Sequence, residues 1–302
     1  MHRHLFVRLL SLLLLLLLIV NLGCGTTKSL VKKIKQDKPY LKKKIMVFPP
    51  VDHSGLPSGS TAQLNVNLVD RLKESPHLLI YEPPKDLNLP PELKLPKFGV
   101  AYYHPDVAVM TKNMDMNGLI AAFFLPIKTT KGRKGIWPFR YSINIHEISL
   151  VLNVFDTANG CLYLTNLDSE EVVFPADEEK DLKEEGLLEQ VMTKAIPDLL
   201  ERQATAVIEK LVAASWTGRI LGISNGVLKI NAGKEVGVQP DQRFTVFEQG
   251  ESIECRTGRN VELLGKKAGT IKAVTVMQDY TLAAPDQGGP FSAGQTIIFS
   301  PE

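Results

Sequence analysis

Asp52, His53 and Ser54 are the residues whose side-chain types come nearest to a catalytic set, because together they are the three members of a hydrolase triad. Three neighbours along one chain cannot aim their side chains at one another in the order that the triad mechanism needs. Aspartate and serine followed by Gly55 are also residues that favour turns. We therefore interpret this segment as a polar turn and predict no catalytic residues in it.

Other residues that could support chemistry are scattered along the chain. The histidines at 53, 77, 104 and 146 stand singly on different predicted elements, without the spacing of metal ligands. No phosphate-binding loop, nucleophile elbow or zinc-protease motif occurs in the sequence. The acidic run from Asp177 to Glu185 begins a predicted helix, where carboxylates stabilise the helix dipole without calcium. His146 and Glu147 are expected to face solvent, and we predict no enzyme, no metal and no diffusible cofactor.

Cys24 has the clearest predicted chemistry. An apolar stretch from Leu9 to Val20 follows Arg3 and Arg8, and it is shorter than the roughly 20 residues that span a bilayer. The residues Leu22-Gly23-Cys24 at its end resemble the lipobox of bacterial lipoproteins, whose cysteine is acylated and becomes the new N-terminus. The alternatives are an ordinary secretory signal with a chance cysteine, or an uncleaved anchor.

The lipobox resemblance implies a signal peptide over residues 1–23 and a covalent lipid, with palmitate among its chains, on Cys24. Gly25 stands where retention in the inner membrane would usually require aspartate, so the resemblance also implies the periplasmic face of the outer membrane. Residues 24–43 then form a lysine-rich tether, and eight lysines oppose a single aspartate between residues 28 and 44. Such a segment is expected to lie along anionic headgroups, or else to serve as a solvated spacer. The remaining chain is acidic, which argues against nucleic acid as a partner.

Residues 44–214 are predicted to form an α/β domain. A strand at 44–48, a helix with apolar residues at 64, 68, 69 and 72, and a strand at 77–81 form a strand–helix–strand unit, which favours parallel pairing. The remaining predicted elements are an extended loop at 83–96, a short helix at 105–114, a buried strand at 118–125, two hairpin strands at 142–155 and 161–173, and a helix from 182 to 214 that Pro197 kinks or divides. Residues 215–302 consist of short glycine-punctuated strands, which predict a small all-β barrel or sandwich.

Three motifs in order carry a family resemblance: Val47-Phe48-Pro49, Met116 to Ile120, and Val154 to Gly160. They resemble the α/β domain shared by the TolB N-terminal region, the curli-secretion channel and the middle domain of flagellar assembly protein T. Residues 215–302 resemble the C-terminal domain of that flagellar protein. The resemblance implies a mixed α/β fold, a TolB N-terminal-like α/β domain followed by a small β domain.

The same resemblance implies a non-catalytic assembly or scaffold module of an envelope complex, such as a flagellar basal-body ring. The alternatives are an oligomeric secretion or pore protein like the curli channel, or a lipoprotein that binds a glycan or peptide in the α/β cleft. A homo-oligomer is compatible with each of these functions.

A basic and aromatic segment is the most suggestive predicted surface feature. It lies between residues 128 and 140, and its candidate contact residues are Lys131, Arg133, Lys134, Trp137, Phe139 and Arg140. Binding hot spots and membrane interfaces both use such residues, so the segment is a candidate partner or membrane loop. The alternative is a solvated hairpin whose tryptophan folds back onto the domain. Cys161 and Cys255 are candidates for a disulfide, the alternative being two free thiols.

Overall fold

The structure is a computed structural model, and it describes residues 40–54, 58–84, 105–180, 182–254 and 260–299. The predicted signal peptide, Cys24, the predicted tether up to residue 39, most of the proline-rich segment predicted as a loop and Cys255 lie outside these residues. Leu41–Ser300 belongs to one compact unit that contains two β-sheets. Within the described residues, no helix is both long and apolar enough to cross a membrane.

The first sheet and its helices occupy the N-terminal part of this unit. Their bounds are β1 Lys43–Val47, β2 Val51–Asp52, α1 Ser58–Lys73, β3 Leu78–Tyr81, α2 Pro105–Asn113, β4 Gly118–Phe124, β5 Lys128–Lys134, β6 Tyr141–Asp156, β7 Leu162–Pro175, α3 Ala176–Lys180 and α4 Glu184–Ala213. The strand order is β3-β1-β4-β6-β5, with β2 beside β4 and β7 beside β6. The predicted parallel pairing of β1 with β3 is confirmed, and β1 also pairs in parallel with β4.

Side-chain alternation divides the apolar residues of this sheet between its two faces. On one face, Ile45 and Val47 pack with α1 and α4 in a single buried cluster. On the other, Met46 and Phe48 pack with Val107 of α2. The long strand β6 joins the parts of the sheet, because its C-terminal half pairs with β4 and its N-terminal half with β5.

The second sheet is a closed barrel, which decides between the two predicted all-β architectures. Its elements are β8 Trp216–Ser224, β9 Val227–Ile230, a 3₁₀ turn at Lys234–Val236, β10 Arg243–Glu254, β11 Asn260–Val276, β12 Thr281–Gly288 and β13 Thr296–Phe299. The strands close in the order β10-β11-β12-β9-β8-β13. Trp216, Phe244 and Phe299 fill its interior, with the Trp216 and Phe244 rings edge to face at 6.0 Å.

Two predicted elements differ in detail. Pro197 lies inside α4, which continues without a break from Glu184 to Ala213. Strand β1 begins at Lys43, which the sequence assigns to the tether. Lys43 is buried because its ammonium donates hydrogen bonds to the Leu211 and Ala214 carbonyls at the end of α4. Helix C-termini favour such a cation, since their last carbonyls lack intrahelical partners.

Candidate functional site

The β5–β6 hairpin carries the predicted basic and aromatic residues. Antiparallel pairing runs from Lys128 opposite Glu147 to Lys134 opposite Tyr141. Residues 135–140, which we name the tip, connect the strands, and the Phe139 amide donates to the Ile136 carbonyl at 2.7 Å. Gly135 has a φ of +112°, and a Cβ there would lie 2.5 Å from the Phe139 carbonyl oxygen. Glycine is therefore required at the entry to the tip.

The tip exposes large apolar side chains to solvent. Ile136, Trp137 and Phe139 are 84%, 78% and 83% exposed. The alternative in which Trp137 folds back onto the domain is therefore wrong, because most of its side chain is open to solvent. Residues 128–141 include five lysines and arginines and no acidic residue. Within the described residues, no carboxylate forms an ion pair with Arg133, Lys134 or Arg140.

A groove lies beside this hairpin, between the strands and α3. Its volume is about 690 Å³, and its lining includes Lys131, Arg133, Ser142 and Lys180. Alternation along β5 places Lys131 and Arg133 on one face, opposite Ser142 and Asn144 of β6. Of the six predicted contact residues, Lys131 and Arg133 line the groove and Lys134 ends β5. The other three, Trp137, Phe139 and Arg140, lie in the tip.

A buried polar cluster forms the base of the groove. His146 is 4% exposed, so the prediction that it faces solvent is wrong. Its Nδ1 lies 3.0 Å from the Thr129 hydroxyl, and its Nε2 lies 3.1 Å from a Glu179 carboxylate oxygen. Asn144 Nδ2 donates to the same oxygen at 2.7 Å. These contacts fix α3 against the hairpin and account for burial of a polar ring in an apolar strand.

The same contacts lower the pKa of the Glu179 carboxyl. Burial alone would raise its pKa, but the hydrogen bonds from Asn144 and His146, together with the charges of His146 and Lys131, hold the pKa of Glu179 below its ordinary value. The carboxylate is therefore ionised at neutral pH. An ionised Glu179 leaves the groove with mixed charge at its base and positive charge toward the tip.

A second group of polar residues joins the first sheet to the barrel. Asn117 accepts a hydrogen bond from the Lys44 amide at 2.8 Å and donates to the Thr217 carbonyl at 2.6 Å. Asp115 accepts from Arg219 at 2.8 Å and from Asn231 at 3.1 Å. We name this set the junction. Its polar groups are hydrogen-bonded across the two sheets, so their chemistry is used in holding the sheets together.

A cleft of about 390 Å³ lies next to the junction and is lined by Asp156, Tyr163, Glu248 and Glu262 among others. Burial raises the pKa of Asp156, although hydrogen bonds from the Ala158 amide and the Tyr163 hydroxyl and the nearby Lys43 charge oppose that rise. Burial likewise lowers the pKa of Lys43 to about 8, against the attraction of Asp156. The cleft is acidic, with one buried carboxylate at its base.

The barrel carries a projection that the sequence did not reveal. Beyond Phe247, β10 no longer pairs with β13, and before Gly269, β11 does not yet pair with β12. Residues 249–254 and 260–267 therefore form a two-stranded ribbon, which we name the arm. Ile253, Leu263 and Leu264 on it are 47%, 45% and 50% exposed. The adjacent leucines 263 and 264 were the available signal, because alternation along a strand cannot bury both on one face.

The remaining predicted residues divide between described and undescribed parts. The Ser54 amide and hydroxyl both donate to Asp52, which is the hydrogen bonding of a polar turn. Cys161 is half-buried, and its pairing with Cys255 stays a prediction because Cys255 lies outside the described residues. In the described ranges, no group of three or more histidine, cysteine or acidic residues could hold a metal ion.

Comparison with known proteins gives distant similarities. No protein-family model matches the chain, and no curated protein does. Among solved structures, the hypothetical protein CT253 from Chlamydia trachomatis is 16% identical over 57% of this chain and 98% of that one, with a TM-score of 0.39. A minor lipoprotein from Acinetobacter baumannii is 10% identical over 57% and 96%, with a TM-score of 0.33.

Lipoprotein GNA1162 from Neisseria meningitidis is 13% identical over 58% of this chain and all of that one, with a TM-score of 0.28. The structural neighbours thus include bacterial lipoproteins. TM-scores this low carry no argument about the function of the chain.

Proposed function

We propose that the chain is a non-catalytic assembly lipoprotein, anchored through Cys24 at the periplasmic face of the outer membrane, which binds a protein of an envelope complex. The barrel arm is the observation that carries this proposal. It presents Ile253, Leu263 and Leu264 on a two-stranded ribbon that no further strand flanks within the described residues, although the Glu262 amide donates a hydrogen bond to the Asn159 carbonyl at 3.1 Å. Exposed strand edges bind other chains by adding a strand, and apolar side chains beside them provide specificity.

The junction supports a scaffold rather than an enzyme. Asn117 donates to the Thr217 carbonyl and Asp115 accepts from Arg219, so both connect the first sheet's loops to the barrel. A scaffold must hold its contact surfaces at a fixed separation, and buried polar bonds of defined geometry give such rigidity. The resemblance to flagellar assembly protein T makes a basal-body ring our specific proposal for the complex.

Crosslinking tests the proposed partner. A photoreactive residue replacing Leu264 on the arm should capture a discrete envelope protein in intact cells. The matched control replaces Val274, which is 58% exposed on the same strand but lies within the closed part of the barrel. Capture at neither position, with recovery of the chain alone, would contradict the scaffold.

Acylation is tested separately. The mature chain should begin at residue 24, incorporate labelled palmitate and fractionate with the outer membrane, and Cys24→Ser should release it. A mature N-terminus elsewhere would remove the anchor from the proposal. A monomeric mass after detergent extraction would eliminate the alternative of a curli-channel-like pore.

The cleft favours one second candidate, a periplasmic binding protein for a cationic or hydroxyl-rich ligand such as a peptide or glycan. Asp156 and Tyr163 at its base, with Glu248 and Glu262 on its walls, offer hydrogen-bond acceptors and negative charge. Ligand pockets are often found where two domains meet. A thermal shift on adding basic peptides or cell-wall glycans, lost in Asp156→Asn, would favour this function.

A further inference from the structure

We propose that the tip of the β5–β6 hairpin inserts into an anionic phospholipid leaflet, as a membrane contact separate from the acyl chains. This inference rests on the proposed anchoring, which would keep the chain beside a leaflet. Ile136, Trp137 and Phe139 form the apolar end, and Lys134 and Arg140 flank them. Tryptophan above all prefers the boundary between headgroups and hydrocarbon, and basic residues next to it attract anionic lipids.

The spacing along the hairpin matches the layers of a bilayer. The hydrocarbon core is about 30 Å thick and the whole bilayer about 40–45 Å, so each headgroup layer is about 5–7 Å deep. Lys134 ends β5 two residues before Ile136, so the chain between them spans at most about 7 Å. When the apolar side chains reach the hydrocarbon boundary, the Lys134 and Arg140 charges lie at the level of the phosphates.

The groove extends the same chemistry behind the tip. Lys131 and Arg133 line it together with the Ser142 hydroxyl, in a volume of about 690 Å³. Lys131 lies three residues behind Lys134 along β5, which is about 10 Å, so it remains outside the leaflet when the tip is inserted. Arg133 lies about 3 Å behind Lys134, just outside the headgroup layer. The positive charge of the hairpin is therefore concentrated at the end that faces the membrane, where attraction to anionic lipid is screened least.

The single sign of the charges favours lipid over protein as the occupant. Protein interfaces combine an apolar centre with a polar rim of both charge signs, matched to the partner. Residues 128–141 contain five basic and no acidic side chains around four exposed apolar or aromatic ones, Ile136, Trp137, Phe139 and Tyr141. The end of the hairpin from Arg133 to Arg140 therefore matches an anionic leaflet, and the negative charges of Glu147 and Glu179 lie behind it.

Chain length permits the acyl anchor and the tip to reach one leaflet. The tip precedes Tyr141 at one end of β6, and Lys43 lies near Asp156 at the other end. The fifteen steps of β6 correspond to about 50 Å. Leu41 is buried in the barrel cluster and the Lys42 amide bonds the Val236 carbonyl, so only the segment from Cys24 to Tyr40 can serve as the tether. Its sixteen residue steps can extend to at most about 55 Å, so a nearly extended tether spans the length of β6.

Intrinsic fluorescence tests the inference directly, because the chain has two tryptophans and Trp216 is buried in the barrel. In the Trp216→Phe background, Trp137 is the reporter. The acylated chain would be reconstituted into vesicles of phosphatidylethanolamine with phosphatidylglycerol, and into vesicles of phosphatidylcholine alone. Lipids brominated in the acyl chain should quench Trp137 in the anionic vesicles, and high salt should reduce the quenching without releasing the protein.

Charge variants give the matched comparison. Lys134→Gln with Arg140→Gln should lower the ratio of inserted to withdrawn tip about fivefold for each charge removed. The control pair, Lys210→Gln at the end of α4 with Lys234→Gln in the 3₁₀ turn of the barrel, removes two exposed charges far from the tip and should leave the quenching unchanged. The same differences should appear in protein that keeps Trp216, on top of a constant Trp216 signal. This measurement keeps the test valid if Trp216→Phe folds poorly.

Two results would overturn the inference. Trp137 could remain open to acrylamide and unquenched by brominated lipid in the vesicles, which means no insertion. Alternatively, Trp137 could be shielded in native envelopes but not in lipid vesicles, which would identify a protein as the occupant. If the chain proves unacylated, the proposed anchoring fails, yet the quenching measured with excess vesicles still reports whether the tip inserts.

Discussion

Asn117→Ala tests whether the junction holds the two sheets as one unit. The amide side chain makes two hydrogen bonds, to the Lys44 amide at 2.8 Å and to the Thr217 carbonyl at 2.6 Å. Alanine removes both and leaves a half-buried donor and acceptor without partners, and each unsatisfied group costs about 1–2 kcal/mol. We expect the free energy of unfolding to fall by about 2–4 kcal/mol, a large share of the roughly 5–15 kcal/mol of a typical domain.

Urea unfolding of the unacylated Cys24→Ser chain measures this loss. Trp216 fluorescence would follow the barrel, and circular dichroism at the helix band would follow α1 and α4. The control is Asn67→Ala on the exposed face of α1, whose side chain bonds only Gln63 among the described residues, and it should change stability by less than about 0.5 kcal/mol.

Two results would refute the reasoning about Asn117. A loss for Asn117→Ala no larger than that of the control would show that water replaces both bonds. Separate unfolding of the barrel and the helices in the wild-type chain would show that the junction does not couple them, since a two-state unit gives coincident transitions for both probes.

Three further predictions concern the core, the groove and the barrel. Gly118→Ala should destabilise the chain by about 1–3 kcal/mol in thermal unfolding, because its Cβ would lie 3.0 Å from Ile45 Cδ1 and 3.2 Å from a backbone oxygen. The control Gly222→Ala, whose Cβ would have no atom within 4 Å, should be neutral. Glu179→Gln should reduce stability at neutral pH and match wild type in acid. A carboxylate whose folded pKa is lowered stabilises the fold above its unfolded pKa, and it loses that contribution as pH falls through the folded pKa. A stability difference that persists at low pH would contradict this. Trp216→Phe should cost about 1–3 kcal/mol in urea unfolding, since it removes the indole hydrogen bond to the Lys42 carbonyl at 3.2 Å but keeps the aromatic contact with Phe244, and complete unfolding would contradict it.

Strong local periodicity made the first sheet predictable. The helix with Leu64 and Leu68 and the buried run of β4 are recognisable because helical and strand spacing sort apolar residues differently. Prolines and glycines marked several element ends, and the strand–helix–strand order gave the parallel pairing of β1 with β3. Closure of the barrel was not predictable, because barrel and sandwich share short alternating strands and differ only in long-range pairing.

The candidate surfaces depended on tertiary contacts that local patterns do not contain. His146 looks solvent-facing in sequence, yet a strand position is buried or exposed according to what covers its face, and here α3 brings Glu179 onto it. Trp137 looks like a residue that folds back, yet most of its side chain is open to solvent. The basic and aromatic composition nevertheless drew attention to the segment that forms the tip, because such composition is unusual for a hairpin turn, and its role in contacts stays a prediction.

Strand β6 explains how one chain could connect a membrane with a partner. It runs from Tyr141 beside the tip to Asp156 beside the junction, where the barrel and its arm begin. Pairing with β7 along nearly its whole length stiffens it, so the tip and the barrel are held about 50 Å apart. A leaflet bound at the tip would then place the arm at a defined height above the membrane. Shortening β6 and β7 by two paired residues each should keep the alternation of both strands and lower that height by about 7 Å, which would impair partner capture at Leu264 while leaving Trp137 insertion unchanged.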